Sequence, residues 1–242
     1  MSTADAWRVL REATQARVGL GRAGDALPTA EVLRLDAAHA LARDAVHAPL
    51  DVDELATALR EVTGLDVVTV ASAAADRAEY LQRPDLGRRL ARGIELDAGD
   101  HDLAVVVADG LSARAVQAHA AGLLAALLPR LEGWSVAPVV VATQARVALG
   151  DDVGSRLGAA LVLVLIGERP GMSAPDSLGA YLTWGPRRGR ADSERNCVSN
   201  IRPPHGQTYA QAAEVLAALM TESRRRGLSG VELKDTGSAL EG

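Results

Sequence analysis

Four runs that are apolar at nearly every position lie between residues 65 and 168: LDVVTVASAA (65–74), HDLAVVVADG (101–110), WSVAPVVVAT (134–143) and LGAALVLVLIGE (157–168). A strand with one wet face alternates polar and apolar residues, so a continuously apolar strand must be covered on both faces. The stretch SARAVQAHAAGLLAALLPRL, which carries a long apolar helical face, lies between two of the runs and can supply one cover. Strands alternating with helices predict the α/β class: a mostly parallel, Rossmann-like sheet flanked by helices. In such sheets ligands gather outside the carboxyl ends of the strands, among loops and helix N-termini.

The chain before the first run is helical in pattern. Trp7, Leu10, Thr14 and Val18 recur at spacings of three and four, which predicts an amphipathic helix over 4–18. GLGRAG follows it and matches G-x-G-x-x-G, but the dinucleotide fingerprint needs a strand before it, and here a helix stands there. A second helix is predicted to begin at Pro28 and Thr29, with Thr29 as its cap, and to stop at Pro49. Along it His39, Arg43 and His47 share one face. Eight helical residues separate the two imidazoles by about 12 Å, too far for one ion, and the stripe is read as a surface that meets a partner subunit. The organisation expected is a helical N-terminal arm (1–63), an α/β domain (64–235) and a flexible tail (236–242).

Composition removes other classes. A single cysteine forms no internal disulfide, and no basic-apolar-small leader opens the chain, which predicts a reducing, cytoplasmic setting. The longest apolar run, 157–167, falls short of the roughly twenty residues that span a bilayer, so no membrane contact is expected. Nearly all cations are arginine and Lys234 is the only lysine, yet the arginines are mixed with acids, as in DDVGSRLG and ADSERN. No basic stripe forms, and nucleic acid is not an expected partner.

The strand ends deliver Asp109, Gly110 and Ser112 from the second run, Gln144, Arg146 and Val147 from the third, and Glu168 and Arg169 from the fourth. Ser112 reads as a helix cap. Asp109 and Glu168 can each pair with Arg146 or Arg169, so a structural ion network and ligand binding stand as equal readings. After Glu168 comes a stretch with Pro170, Gly171, Pro175, Gly179, Pro186 and Gly189, predicted to be a functional loop. Cys197 has only His205 near it in sequence, and nothing there lowers its pKa, so it reads as a small apolar contact in a pocket wall. No G-x-S-x-G, P-loop or metal cluster occurs. The crevice is equipped to hold something large without its own acid, base or nucleophile.

ATQARVGLGRAGDALPT, AHALARDAVHAPLD, DRAEYLQRPDLGRRL, VADGLSARAV, QARVALGDDVGSRLGA, LIGERPGMSAPDSLGAYLTWGP, RNCVSNIRP and LSGVELKD, in order from about residue 10 to residue 235, closely resemble the small (light) subunit family of ethanolamine ammonia-lyase. The resemblance implies an adenosylcobalamin-dependent lyase that converts ethanolamine to acetaldehyde and ammonia. In that family a large TIM-barrel subunit carries the substrate site and the radical chemistry, the small subunit closes over the cofactor, and the two assemble in several copies, six of each. The family's cobalamin contacts fall in A-R-V, G-E-R and N-C segments, which point to Val147, Glu168 and Cys197. No catalytic residue and no metal ligand is then expected from this chain. The D-x-H-x-x-G motif of proteins that replace the lower base of the cofactor is absent, since Asp36 and His39 are spaced D-x-x-H. The short stretch before the ATQAR block leaves a free cytoplasmic complex at least as expected as one inside a bacterial microcompartment. A self-sufficient α/β enzyme using Asp109, Arg146 and Glu168 on a nucleotide or phosphorylated substrate is the alternative.

Overall fold

Each of the four apolar runs forms a strand in the computed structural model, which describes residues 3–233: β1 (Val67–Ala71), β2 (His101–Ala108), β3 (Val139–Thr143) and β4 (Ala159–Gly167). The third begins later than its apolar run, beyond Pro138, which has no N–H for a ladder. The four pair in parallel in the order β1-β3-β2-β4.

Two further strands extend the sheet past β4: β5 (Leu178–Trp184) and β6 (Arg195–Ile201), both antiparallel to their neighbours. The six-stranded sheet, β1-β3-β2-β4-β5-β6, is therefore mixed, which corrects the expected mostly parallel sheet. The segment read as one long loop after Glu168 contains β5, and Cys197 lies on β6. The expected tail at 236–242 lies outside the described residues.

Alternate strand residues face opposite layers. Leu103, Val105, Val107, Leu161, Leu163 and Leu165 pack with α3 (Val52–Thr63), α5 (Ala113–Leu127) and α7 (Tyr209–Arg226). Ala104, Val106, Val162 and Val164 face α6 (Leu149–Arg156) and the chain around Leu90. Ser112 caps α5 as expected, accepting from the Ala115 N–H at 3.3 Å. Thr208 and Gln211 cap α7 reciprocally, and Gly227 ends it in the left-handed region. One helix thus covers a face that three cover opposite, and β5 and β6 lie partly bare on the α6 side.

Three helices precede β1. The first, α1 (Thr3–Ala13), ends sooner than expected because the Thr14 hydroxyl accepts the Ala16 N–H, a local turn that competes with the helix. Trp7 lies against Gly19, which has no room for a Cβ. In α2 (Thr29–His47) the expected Thr29 cap is corrected: Pro28 occupies the cap position and offers no side-chain hydrogen bond. This helix buries only Ala38, Ala42 and Ala45, whereas α3 sends Leu55 and Leu59 fully into the core. No helix among the described residues is long and apolar enough to cross a membrane.

The outer margin of β6 is occupied by the chain itself. Asn196 donates from Nδ2 to the Gly230 and Leu233 carbonyls and accepts from the Gly230 N–H, while the Val231 N–H reaches the Ser193 carbonyl. Gln207 takes the other end, through the Asn200 and Ser199 carbonyls.

Candidate functional site

The turn after β2 sets the geometry of the strand ends. Asp109 is buried, and its carboxylate accepts the N–H groups of Gln144 and Ala145 at 2.9 Å each, with Arg77 at 3.3 Å. Burial pushes this carboxyl up, opposed by those two N–H donors and by Arg77. The bonds hold the β3–α6 loop, in which Gln144 sits at φ 53°, and so present Arg146 and Val147 beside the end of β4. Between the expected readings of Asp109 the structure selects the ion network, with Arg77 as partner in place of Arg146 or Arg169. Asp109 is fully occupied in holding a loop.

Arg146 and Arg77 both lie over the ring of Tyr80, at 4.4 and 4.8 Å from its centroid. Tyr80, on α4 (Arg77–Gln82), is wholly buried, donates to the Ala145 carbonyl at 3.2 Å, and has its phenol pushed up to about 12 by burial. Glu168 follows β4. One of its carboxylate oxygens accepts the Ser177 hydroxyl and, at 3.4 Å, the Asn200 N–H. A Cβ on Gly179 would stand 2.9 Å from the other oxygen. Among the described residues no ion pair joins Glu168, Arg146 or Arg169, so the acceptor capacity of Glu168 is not cancelled by a cation.

Cys197 and Tyr181 are partners across β5 and β6, on the face that α6 leaves bare. Cys197 reaches the surface, yet burial of its inner flank pushes the thiol up, which disfavours the thiolate and nucleophilic chemistry. Tyr181 neighbours both Cys197 and Glu168. Its phenol is pushed up by burial and by both neighbours.

These groups border one open crevice made of two adjoining hollows. The first, about 260 Å³, is lined by Arg88, Arg146, Val147, Tyr181, Asp192 and Cys197 among others. The second, about 340 Å³, adds Gly110, Leu111 and Glu168 to the shared Arg146, Val147 and Tyr181. Val147, Glu168 and Cys197 thus come from three separate segments to one surface depression. The strand-end argument located Val147 and Glu168, but Cys197 arrives from the middle of an antiparallel strand. Tyr181 and Tyr80 were missed; neither the Y-L-T alternation nor a tyrosine in a short helix marks a site in sequence. His39, Arg43 and His47 are exposed on α2, and among the described residues no group of three or more His, Cys, Asp or Glu could hold a metal ion.

The fold and the crevice define an α/β protein with a mixed six-stranded sheet and an open depression at its strand ends, lined by side chains from separate segments of the chain. Residues 4–234 match the family model of the ethanolamine ammonia-lyase light chain. The chain is 52% identical over 236 residues to an ethanolamine ammonia-lyase small subunit of Rhodococcus erythropolis, covering 97% of this chain and 92% of that one. It is 54% identical over 244 residues to the corresponding protein of Azotobacter vinelandii (97% and 90% covered) and 54% over 241 residues to that of Xanthomonas campestris (96% and 88%). The chain belongs to the ethanolamine ammonia-lyase light-chain family.

Proposed function

We propose that this chain is the small subunit of an adenosylcobalamin-dependent ethanolamine ammonia-lyase and that its crevice receives one flank of the cofactor, the opposite wall being supplied by the large subunit. The observation that carries this reading is the meeting of Val147, Glu168 and Cys197 at one open depression. The donor set fits the group. Val147, Tyr181 and Cys197 offer apolar wall area to a corrin, and Glu168 offers a charged acceptor to the N–H groups of its peripheral amides. Arg146 has a buried Nε with no acceptor among the described residues. A corrin with its side chains is far larger than either hollow, so this chain lines one side only.

When bound, the cofactor supplies the radical through its cobalt–carbon bond. The residues here bind and orient: Glu168 fixes the corrin edge by hydrogen bonds, and Val147 and Cys197 exclude water from its face. No side chain of this subunit is assigned to cobalt, and substrate chemistry belongs to the large subunit. The names of the relatives, each a small subunit, support a larger partner, and we extend this to an assembly with six of each, either free in the cytoplasm or inside a microcompartment. The exposed faces of α1 and α2, including the His39, Arg43 and His47 stripe, are the proposed contact with that partner. The alternative nucleotide enzyme loses one of its three groups, since Asp109 is committed to Gln144 and Ala145.

Co-purification of the two subunits with cobalamin, followed by an absorbance spectrum, tests the reading; a complex with no cobalamin spectrum defeats it. Glu168→Gln is expected to weaken cofactor retention by about 1 to 3 kcal/mol, the loss of one charged hydrogen-bonding partner, measured by equilibrium dialysis of the complex.

A further inference from the structure

The crevice is electrically lopsided. Glu168 stands in one hollow beside the exposed Arg169 and the shared Arg146, whereas the other hollow is bordered by three guanidiniums, Arg88, Arg146 and Arg195. Arg195 is neutralised: it is bidentate to Asp151 at 2.7 Å, and Asp192, the one acid lining that hollow, lies 3.5 Å from its Nε. Nearby Arg188 and Arg190 are likewise paired, with Asp152 and Glu194. Arg88 and Arg146 have no carboxylate partner among the described residues.

Arg146 is moreover held in place. Its backbone N–H bonds the Gly87 carbonyl at 2.8 Å, its guanidinium lies over the Tyr80 ring, and its Cγ abuts Gly87, where a Cβ would stand 3.0 Å away. Among the described residues only one long bond, Nη2 to the Tyr80 carbonyl at 3.5 Å, uses its donors, and Nε is buried with no acceptor there. A guanidinium that is fixed, partly dehydrated and not neutralised is a receptor for an anionic oxygen. The backbone of Gly87 ties the position of Arg146 to that of Arg88, the next residue, so the two cations border the hollow as a pair.

Cobalamin carries one anion, the phosphodiester of its nucleotide tail; the amides at the corrin rim are neutral. We propose that Arg88 and Arg146 form a subsite for that phosphodiester, so that the cofactor lies with its tail at the arginine end of the crevice and its corrin edge at Glu168. This rests on the reading of the crevice as a cobalamin site.

The test compares cyanocobalamin with cobinamide, which has the same corrin and lacks the nucleotide tail with its phosphate. Wild type, Arg88→Gln and Arg146→Gln are each co-expressed with the large subunit, and both ligands are titrated by equilibrium dialysis. The expected result is a loss of about tenfold for cyanocobalamin in each variant, the scale of one charge-assisted hydrogen bond, with cobinamide affinity unchanged. Equal losses for both ligands, or no loss for either, would overturn the phosphate subsite. So would dissociation of the variant complexes in sedimentation, which would assign these arginines to carboxylates of the large subunit. Arg88 is exposed, so its variant answers the question even where Arg146→Gln disturbs the packing on Tyr80. If the wild-type complex binds neither ligand, the cobalamin reading itself fails; if it binds cobinamide normally in all three forms and cyanocobalamin loses nothing, only the subsite does.

Discussion

Gly110 and Gly167 show how little freedom the crevice floor has. Gly110 is at φ 57°, and a Cβ there would fall 2.2 Å from the Gly167 carbonyl oxygen; a Cβ on Gly167 would fall 2.0 Å from the Ser112 carbonyl oxygen. The turn after β2 is therefore nested against the end of β4, one residue before Glu168. Gly110→Ala combines left-handed backbone strain with a backbone clash and is expected to cost at least about 2 kcal/mol, read as a drop in urea midpoint with m unchanged. Cofactor retention should fall with it, because the end of β4 must shift. At this scale the sequence was informative where one residue has one local job. Ser112 as a cap needed only the rule for helix starts. The partner of Asp109 was not legible, because Arg77 lies 32 positions away in a segment with no strand to place it. Tyr80 was likewise invisible, since its role is to hold Arg146 through a contact made only after folding.

Among the elements, the parallel strands were legible because burial on both faces leaves an unbroken apolar run. β5 and β6 were not: β5 reads L-G-A-Y-L-T-W and β6 reads R-N-C-V-S-N-I, short and broken by polar residues, with proline and glycine on both flanks. Their polar positions have structural work that only the fold reveals. Arg195 of β6 reaches across the sheet face to Asp151 of α6 and to Thr183 of β5 at 2.8 Å, both charged side chains being almost wholly buried. This pair fastens the antiparallel extension, with its wall residues Tyr181 and Cys197, to the helix that follows Val147. Removing one member leaves an unpaired buried charge, so Arg195→Leu is expected to destabilise by about 3–5 kcal/mol. The double variant with Asp151→Leu should recover part of that loss in chemical denaturation, whereas two independent sites would simply add.

For the whole molecule, stability depends on the helical layer that covers the face opposite the crevice. There His119 of α5 is buried with its Nδ1 2.9 Å from the Tyr209 hydroxyl of α7. Burial lowers the imidazole pKa, Arg202 acts in the same sense, and Asp176 opposes them. The folded state then binds this proton less readily than the unfolded chain, whose imidazole titrates near 6.5. Its contribution is present above about pH 6.5 and is lost as pH falls below that value. Urea midpoints measured from pH 7.5 to 5 should decline for the wild-type chain, and less steeply for His119→Gln. On the other side of the ledger, Leu33 and Leu41 of α2 are 63% and 53% exposed. Such a face is compatible with the proposed large-subunit contact and was legible only as a polar stripe, because α2 buries small alanines and leaves its leucines outside.

The bonds that residues 207 and 230–233 make along β6 have a bearing on how copies of this chain can meet. At the β1 margin, the Ala73 N–H bonds the Arg89 carbonyl and the Ala91 N–H bonds the Ala71 carbonyl, so that border too is partly taken. With part of each margin already engaged, a neighbour docking there as a seventh strand would find an interrupted ladder. Fibril-like propagation is thereby discouraged, and higher-order architecture is left to side-chain recognition between faces.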